Sequence, residues 1–151
     1  MDMQKTAEQI VLDSSGFSDF NPVQKMALEK GLLEGKSLIV AAPTASGKTL
    51  VAELAAVNTF LKGRKTVYIV PLKALASGKY REFNEKYNNI GMKTAMSIGN
   101  LDEGDPWLGK YYVINFPCKT LPSESFATRG GLFMPLFHLR SYVLDFVFRY
   151  R

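Results

Sequence analysis

Ser37-Leu-Ile-Val-Ala-Ala-Pro-Thr-Ala-Ser-Gly-Lys-Thr49 decides how this 151-residue chain is read. Ser37 to Ala42 is a short apolar run with two β-branched residues, which predicts a buried strand. Leu50 to Leu61 carries apolar residues at helical spacing among strong helix formers and predicts a helix. Between them Ala42-Pro43-Thr44-Ala45-Ser46-Gly47 forms a loop that turns tightly enough to enclose a polyphosphate. Its N–H groups face inward as an anion nest, and the following helix offers its positive N-terminus. Lys48 is placed to reach the β and γ phosphates and the Thr49 hydroxyl to ligate magnesium, so ATP and Mg2+ are the expected cofactors.

The usual form of such a loop begins with glycine, where this chain has Ala42. One methyl at the loop mouth is tolerated if that residue is extended, and Pro43 biases it that way. Gly47 is the position where a side chain would hinder a phosphate. The bland alternative is a chance Gly-Lys-Thr in a turn; the flanking strand and helix argue against it.

Composition sets the surrounding bounds. The chain is one domain's worth of residues, and 46% apolar content suffices for a core. A net charge of +5 suits a polyanionic partner but is equally ordinary for a globular protein. The single cysteine, Cys118, excludes an internal disulfide or a multi-cysteine metal site and reads as a small apolar side chain. No basic-then-apolar leader or membrane-length apolar run is present, so the expectation is a cytoplasmic protein without a membrane partner. Oligomeric state has no signature here.

The periodicity alternates along the chain. Gln4 to Asp13 predicts a short amphipathic helix, and Asn21-Pro22 opens a second one running to about Leu33, with Gly35 beyond its end. Lys65 to Val70 predicts a strand, Leu72 to Tyr87 a helix, Lys93 to Ile98 a strand and Tyr111 to Phe116 another. Strands and helices in this order predict an α/β fold, a parallel sheet with helices on both faces and the ligand at the carboxyl ends of the strands.

Three further segments, taken with the loop, resemble a family. Phe20-Asn-Pro-Val-Gln24, with Gln24 placed 24 residues before Lys48, is similar to the adenine-reading segment of superfamily 2 helicases. Pro71-Leu72-Lys73-Ala74-Leu75-Ala76 follows a predicted strand and resembles the segment with which those enzymes grip the phosphate backbone of one strand. Ser97-Ile98-Gly99-Asn100 resembles a second gripping segment, with Asn100 where aspartate is usual. The order and wording are most similar to archaeal, Ski-like DNA helicases of the DExH type that act at stalled forks, and the resemblance spans about Phe17 to Ile114.

It implies a RecA-like P-loop fold, ATP-dependent unwinding in the intact family, a DNA-repair role, and single-stranded or forked DNA as partner, bound weakly by this chain. Gln24 would read adenine and its loss would leave triphosphate affinity largely in place. Pro71, Leu72, Lys73, Ala74, Gly99 and Asn100 would contact nucleic acid. For Gln24 and Lys73 the plain readings are a solvated helix residue and a surface lysine; a helix N-terminus at Leu72 favours strand contact.

Helicases of this type continue into an apolar strand ending Asp-Glu-x-His, whose aspartate holds magnesium and whose glutamate activates water. No such box is legible. Asp102, Glu103 and Asp105 lie in a Gly- and Pro-containing loop, and Trp107 and Leu108 read as packing that loop down. Tyr142-Val-Leu-Asp145 has the apolar-then-Asp form without the glutamate, which leaves Asp145 as a weak magnesium candidate.

Composition changes near Asn115. Residues 1–114 hold 12 Lys and 2 Arg, whereas residues 115–151 hold 1 Lys, 4 Arg and 8 of the 18 aromatics, with Glu124 and Asp145 the only acids. That switch predicts an ATP-binding portion, 1–114, of an incomplete first motor domain, followed by an aberrant or divergent segment, 115–151, as from a shifted reading frame. A genuine but unusual C-terminal segment is the alternative, and His138 there needs no functional role. A stand-alone P-loop NTPase or kinase, or a non-catalytic binding protein, remain open as other function classes; the kinase would need an acceptor site and a lid that the sequence does not show.

Overall fold

In the computed structural model of this chain, which describes residues 6–70, 72–96, 111, 113–117 and 146–150, helix α1 (Ala7–Ser15) starts at Thr6, whose hydroxyl accepts from the Gln9 N–H at 3.3 Å. It closes on Gly16, left-handed at φ +71°. The helix expected over Gln4–Asp13 thus runs two residues further, to Ser15. Ala7, Ile10 and Val11 form its buried stripe.

Helix α2 (Pro22–Glu29) begins where Asn21-Pro22 predicts, with Asn21 as cap and proline in the first turn. It is shorter than the expected run to Leu33. Gly31 at φ +94° and Gly35 at φ +84° turn the chain instead. Helix α3 (Lys48–Leu61) follows the loop and is apolar on nearly every side: Leu50, Val51, Ala52, Leu54, Ala56 and Val57 are all buried.

The strand expected over Ser37–Ala42 does not form; these residues lie outside any ladder, and Ile39 is 89% exposed. Apolar residues become a strand only when neighbouring backbone takes up their N–H and C=O groups. Here both edges of the first observed strand are already taken.

That strand is β1 (Lys65–Val70), at the predicted residues. Helix α4 (Lys73–Tyr87) carries the chain to β2 (Thr94–Met96), and β3 (Val113–Pro117) and β4 (Phe146–Tyr150) complete a four-stranded sheet in the order β2-β3-β1-β4. β3 pairs in parallel with β1, Val67 opposite Ile114, and with β2, Ala95 opposite Ile114. β4 departs from the expected all-parallel sheet by pairing antiparallel with β1, Val67 opposite Phe148. An antiparallel strand at the edge of an otherwise parallel sheet is a common arrangement.

Thr66 to Val70 are buried without alternation, so both faces of β1 are covered. Tyr68 and Val70 join Leu54 and Val57 of α3 and Phe83 and Tyr87 of α4 in one core. Phe83 sets its ring edge against Tyr68 at 5.6 Å and lies 5.7 Å from Tyr87. This packing fixes α3, which leaves the loop, and α4, which leaves the carboxyl end of β1.

Candidate functional site

The loop Ala42–Gly47 is held by two left-handed residues, Ala45 at φ +64° and Gly47 at φ +82°, and by the Ser46 N–H donating to Pro43 O at 3.3 Å. Gly47 caps α3 without a side chain, so no side-chain acceptor occupies the helix's first N–H groups. The Lys48 ammonium folds back over the loop, donating to Ala42 O at 2.6 Å and Pro43 O at 2.5 Å, with Ser46 Oγ at 3.5 Å. Its three donors therefore rest on loop oxygens where the sequence reading puts phosphate oxygens. Pro43, Thr44 and Ala45 are exposed and Thr49 is half-buried.

Helix α2 grips this loop. Gln24 Nε2 donates to Gly47 O at 3.2 Å and Asn21 Nδ2 donates to Ser46 O at 3.0 Å. The same two side chains form a capping box: Gln24 Oε1 accepts from the Asn21 N–H at 2.9 Å and Asn21 Oδ1 from the Gln24 N–H at 3.0 Å. Gln24 is buried, not the solvated helix residue of the plain reading. Asn21 was legible only as a cap; the Asn-Pro-x-Gln spacing of a capping box is the signal that ties Gln24 to it. Gly47 also has a second reason to lack a side chain, since a Cβ there would lie 2.5 Å from both Asn21 Nδ2 and Gln24 Nε2.

Leu72, Lys73 and Ala74 are exposed at the start of α4, where Leu72 is the cap residue and no side chain caps the first turn. The positive end of the helix dipole and the exposed Lys73 thus belong to the same turn. Pro71, Gly99, Asn100 and Asp145 lie outside the described residues, as do Asp102, Glu103, Asp105, Trp107, Leu108, Cys118 and His138. Among the described residues no group of three or more His, Cys, Asp or Glu could hold a metal ion, and no helix is long and apolar enough to cross a membrane.

An ionic cluster unread in the sequence joins α3 to α4. Glu53 is buried, and its carboxylate accepts from Tyr87 OH at 2.6 Å and from Lys86 Nζ at 3.1 and 3.2 Å. Lys86 also donates to Glu82 at 2.9 Å, and Glu82 takes a second ammonium from Lys79. Burial pushes the Glu53 carboxyl above its ordinary value despite Tyr87 and Lys86. At Glu82 burial acts in the same direction but is outweighed by the hydrogen bonds from Lys79 and Lys86, which bring it down to about 2. Burial and the neighbouring Glu53 charge raise the Tyr87 hydroxyl well above the usual phenol range.

Residues 21–113 match the DEAD/DEAH box helicase family. The chain is 52% identical over 105 residues to "ATP-dependent DNA helicase Hel308" of Pyrococcus abyssi, covering 69% of this chain and 14% of the relative. It is 50% identical over 105 residues to the protein of the same name from Thermococcus kodakarensis, 69% of this chain and 9% of the relative. The Methanocaldococcus jannaschii protein of that name is 46% identical over 120 residues, 75% of this chain and 10% of the relative. The chain spans 14% or less of the length of these relatives. The match disfavours the kinase and the non-catalytic readings.

Proposed function

The chain belongs to the DEAD/DEAH box helicase family, and on that premise we propose that residues 1–114 are the ATP-binding part of the first RecA-like motor domain of an ATP-dependent DNA helicase, its parallel sheet flanked by helices but incomplete. Residues 115–151 are then a divergent continuation, a division supported by the end of the family match at 113 and the change of composition nearby.

The observation that carries this reading is Lys48, folded over a loop that α2 holds through Gly47 and Ser46. Ammonium, loop backbone and the uncapped start of α3 are the donor set a triphosphate requires, with the Thr49 hydroxyl beside it for Mg2+. The Gln24 amide spends one donor on Gly47 and one lone pair on Asn21. Its second donor and lone pair match the N7 acceptor and N6 amine of adenine. Lys73 and the first turn of α4, with Pro71, Gly99 and Asn100, supply weak, salt-dependent contacts to single-stranded or forked DNA in the cytoplasm. ATP bound at the loop supplies the energy of unwinding in the intact enzyme.

The test is equilibrium binding of Mg-ATP to the 151-residue chain and to Lys48→Ala. Each charge-assisted contact to phosphate contributes roughly 1.5–3 kcal/mol, so the variant should bind about tenfold or more weakly. Equal affinity would sink the assignment.

A further inference from the structure

α3 begins with the lysine and threonine of the loop, and α4 begins with the exposed Lys73. Glu53, five residues after Lys48, is 1% exposed, and the ammonium and hydroxyl on its carboxylate both come from the last turn of α4. Tyr87 is itself fully buried beside Phe83, which packs on Tyr68 of β1. Breaking a buried ion pair by withdrawing one partner is strongly destabilising, so Glu53 does not slide past Lys86 and Tyr87 at little cost.

Something must move at the other end of α3 when a triphosphate enters. Lys48 has to leave the carbonyls of Ala42 and Pro43 for phosphate oxygens, and any shift of the turn that Asn21 and Gln24 hold would be felt at the start of α3. A helix transmits such a shift along its axis as a rigid body. With Glu53 fixed to α4, the displacement passes to the element that carries Lys73.

We propose that Glu53 is a positioning residue: clamped by Lys86 and Tyr87, it ties the nucleotide-binding helix to the strand-binding helix, so that a nucleoside triphosphate and a single strand each strengthen the binding of the other. This rests on the function proposed above and adds to it the residues through which the two sites communicate.

The experiment measures the affinity of the 151-residue chain for a fluorescent ATP analogue with Mg2+, with and without saturating oligo(dT). In the unmutated chain oligo(dT) should tighten nucleotide binding about fivefold or more. Glu53→Gln, Tyr87→Phe and Lys86→Met should each reduce that linkage to less than about twofold while each ligand alone binds within about threefold of the unmutated chain. Tyr87→Phe, which loses only the hydroxyl and leaves the Glu53–Lys86 ion pair in place, is the variant to read if Glu53→Gln fails to fold. Linkage that persists in Glu53→Gln or Tyr87→Phe overturns the proposal. So does loss of both separate affinities along with the linkage, the mark of a merely structural role. A chain that binds both ligands without linkage refutes the proposal alone; one that binds neither refutes the function beneath it as well.

Discussion

The side-chain amide of Gln24 donates to the carbonyl of Gly47 at 3.2 Å across 23 residues of sequence. One residue thereby caps its own helix and holds the last loop residue before Lys48. Under the function proposed above, this bond would join base reading mechanically to phosphate binding.

Gln24→Ala should therefore do more than erase a preference for ATP over GTP. It removes half of the capping box and the tie to Gly47, so triphosphate affinity falls too, and the protein loses about 1 kcal/mol of stability as caps typically contribute. Gln24→Glu separates the effects: a carboxylate still accepts from the Asn21 N–H but has nothing to donate to Gly47. Competition of ATP and GTP against a fluorescent analogue, run beside thermal melts of both variants, is the check. Equal competition by GTP in the unmutated chain would count against adenine reading.

Gly47→Ala should be costly even without nucleotide. Its φ of +82° disfavours any side chain, and the new methyl would collide with Asn21 and Gln24 at 2.5 Å. Strain of this kind costs on the order of 1–3 kcal/mol, enough to lower the melting temperature by roughly 5 °C. An unchanged melt of the variant by circular dichroism would remove the steric account.

Acid should weaken the fold through Glu82. Its carboxyl lies at about 2 in the folded chain against an ordinary 4.5, so its contribution is complete above 4.5 and fades as the pH falls from there toward 2. Glu53 has the opposite sign. Its folded value is raised, so stability from this group is present below 4.5 and is lost as the pH climbs through the raised value. Urea midpoints measured from pH 3 to pH 7 should show Glu82→Gln flattening the acid limb and Glu53→Gln flattening the decline above it. Parallel curves for all three proteins would contradict both assignments.

Turnover by the 151-residue chain alone should be slow. Hydrolysis at a helicase's pace requires a water-orienting carboxylate and charge donors, and arginine fingers contribute roughly 10³–10⁵ in rate. Steady-state phosphate release should stay well below about 1 per second with or without single-stranded DNA. A faster, DNA-stimulated rate would make Asp145 the first residue to replace.

Much of this was readable in the residues because it is local. The loop, the Asn21-Pro22 helix start and the strand Lys65–Val70 each depend on neighbours a few positions away. Ser37–Ala42 misled because its apolar pattern is that of a strand while strand formation is decided by distant backbone. β4 went unread for the same reason: nothing in Phe146–Tyr150 states that it lies antiparallel to β1. Glu53 carries no signal of its role in the sequence, since its partners Lys86 and Tyr87 stand 33 and 34 positions away.

Ile39, nearly bare on backbone outside any ladder, bears on how this chain behaves in company. Apolar side chains on unladdered backbone are the template on which other extended segments aggregate. Stickiness would then begin at Leu38–Ala41, immediately ahead of the phosphate loop, so clumping and loss of nucleotide binding should rise together with concentration. A lysine at position 39 would act as a gatekeeper against both.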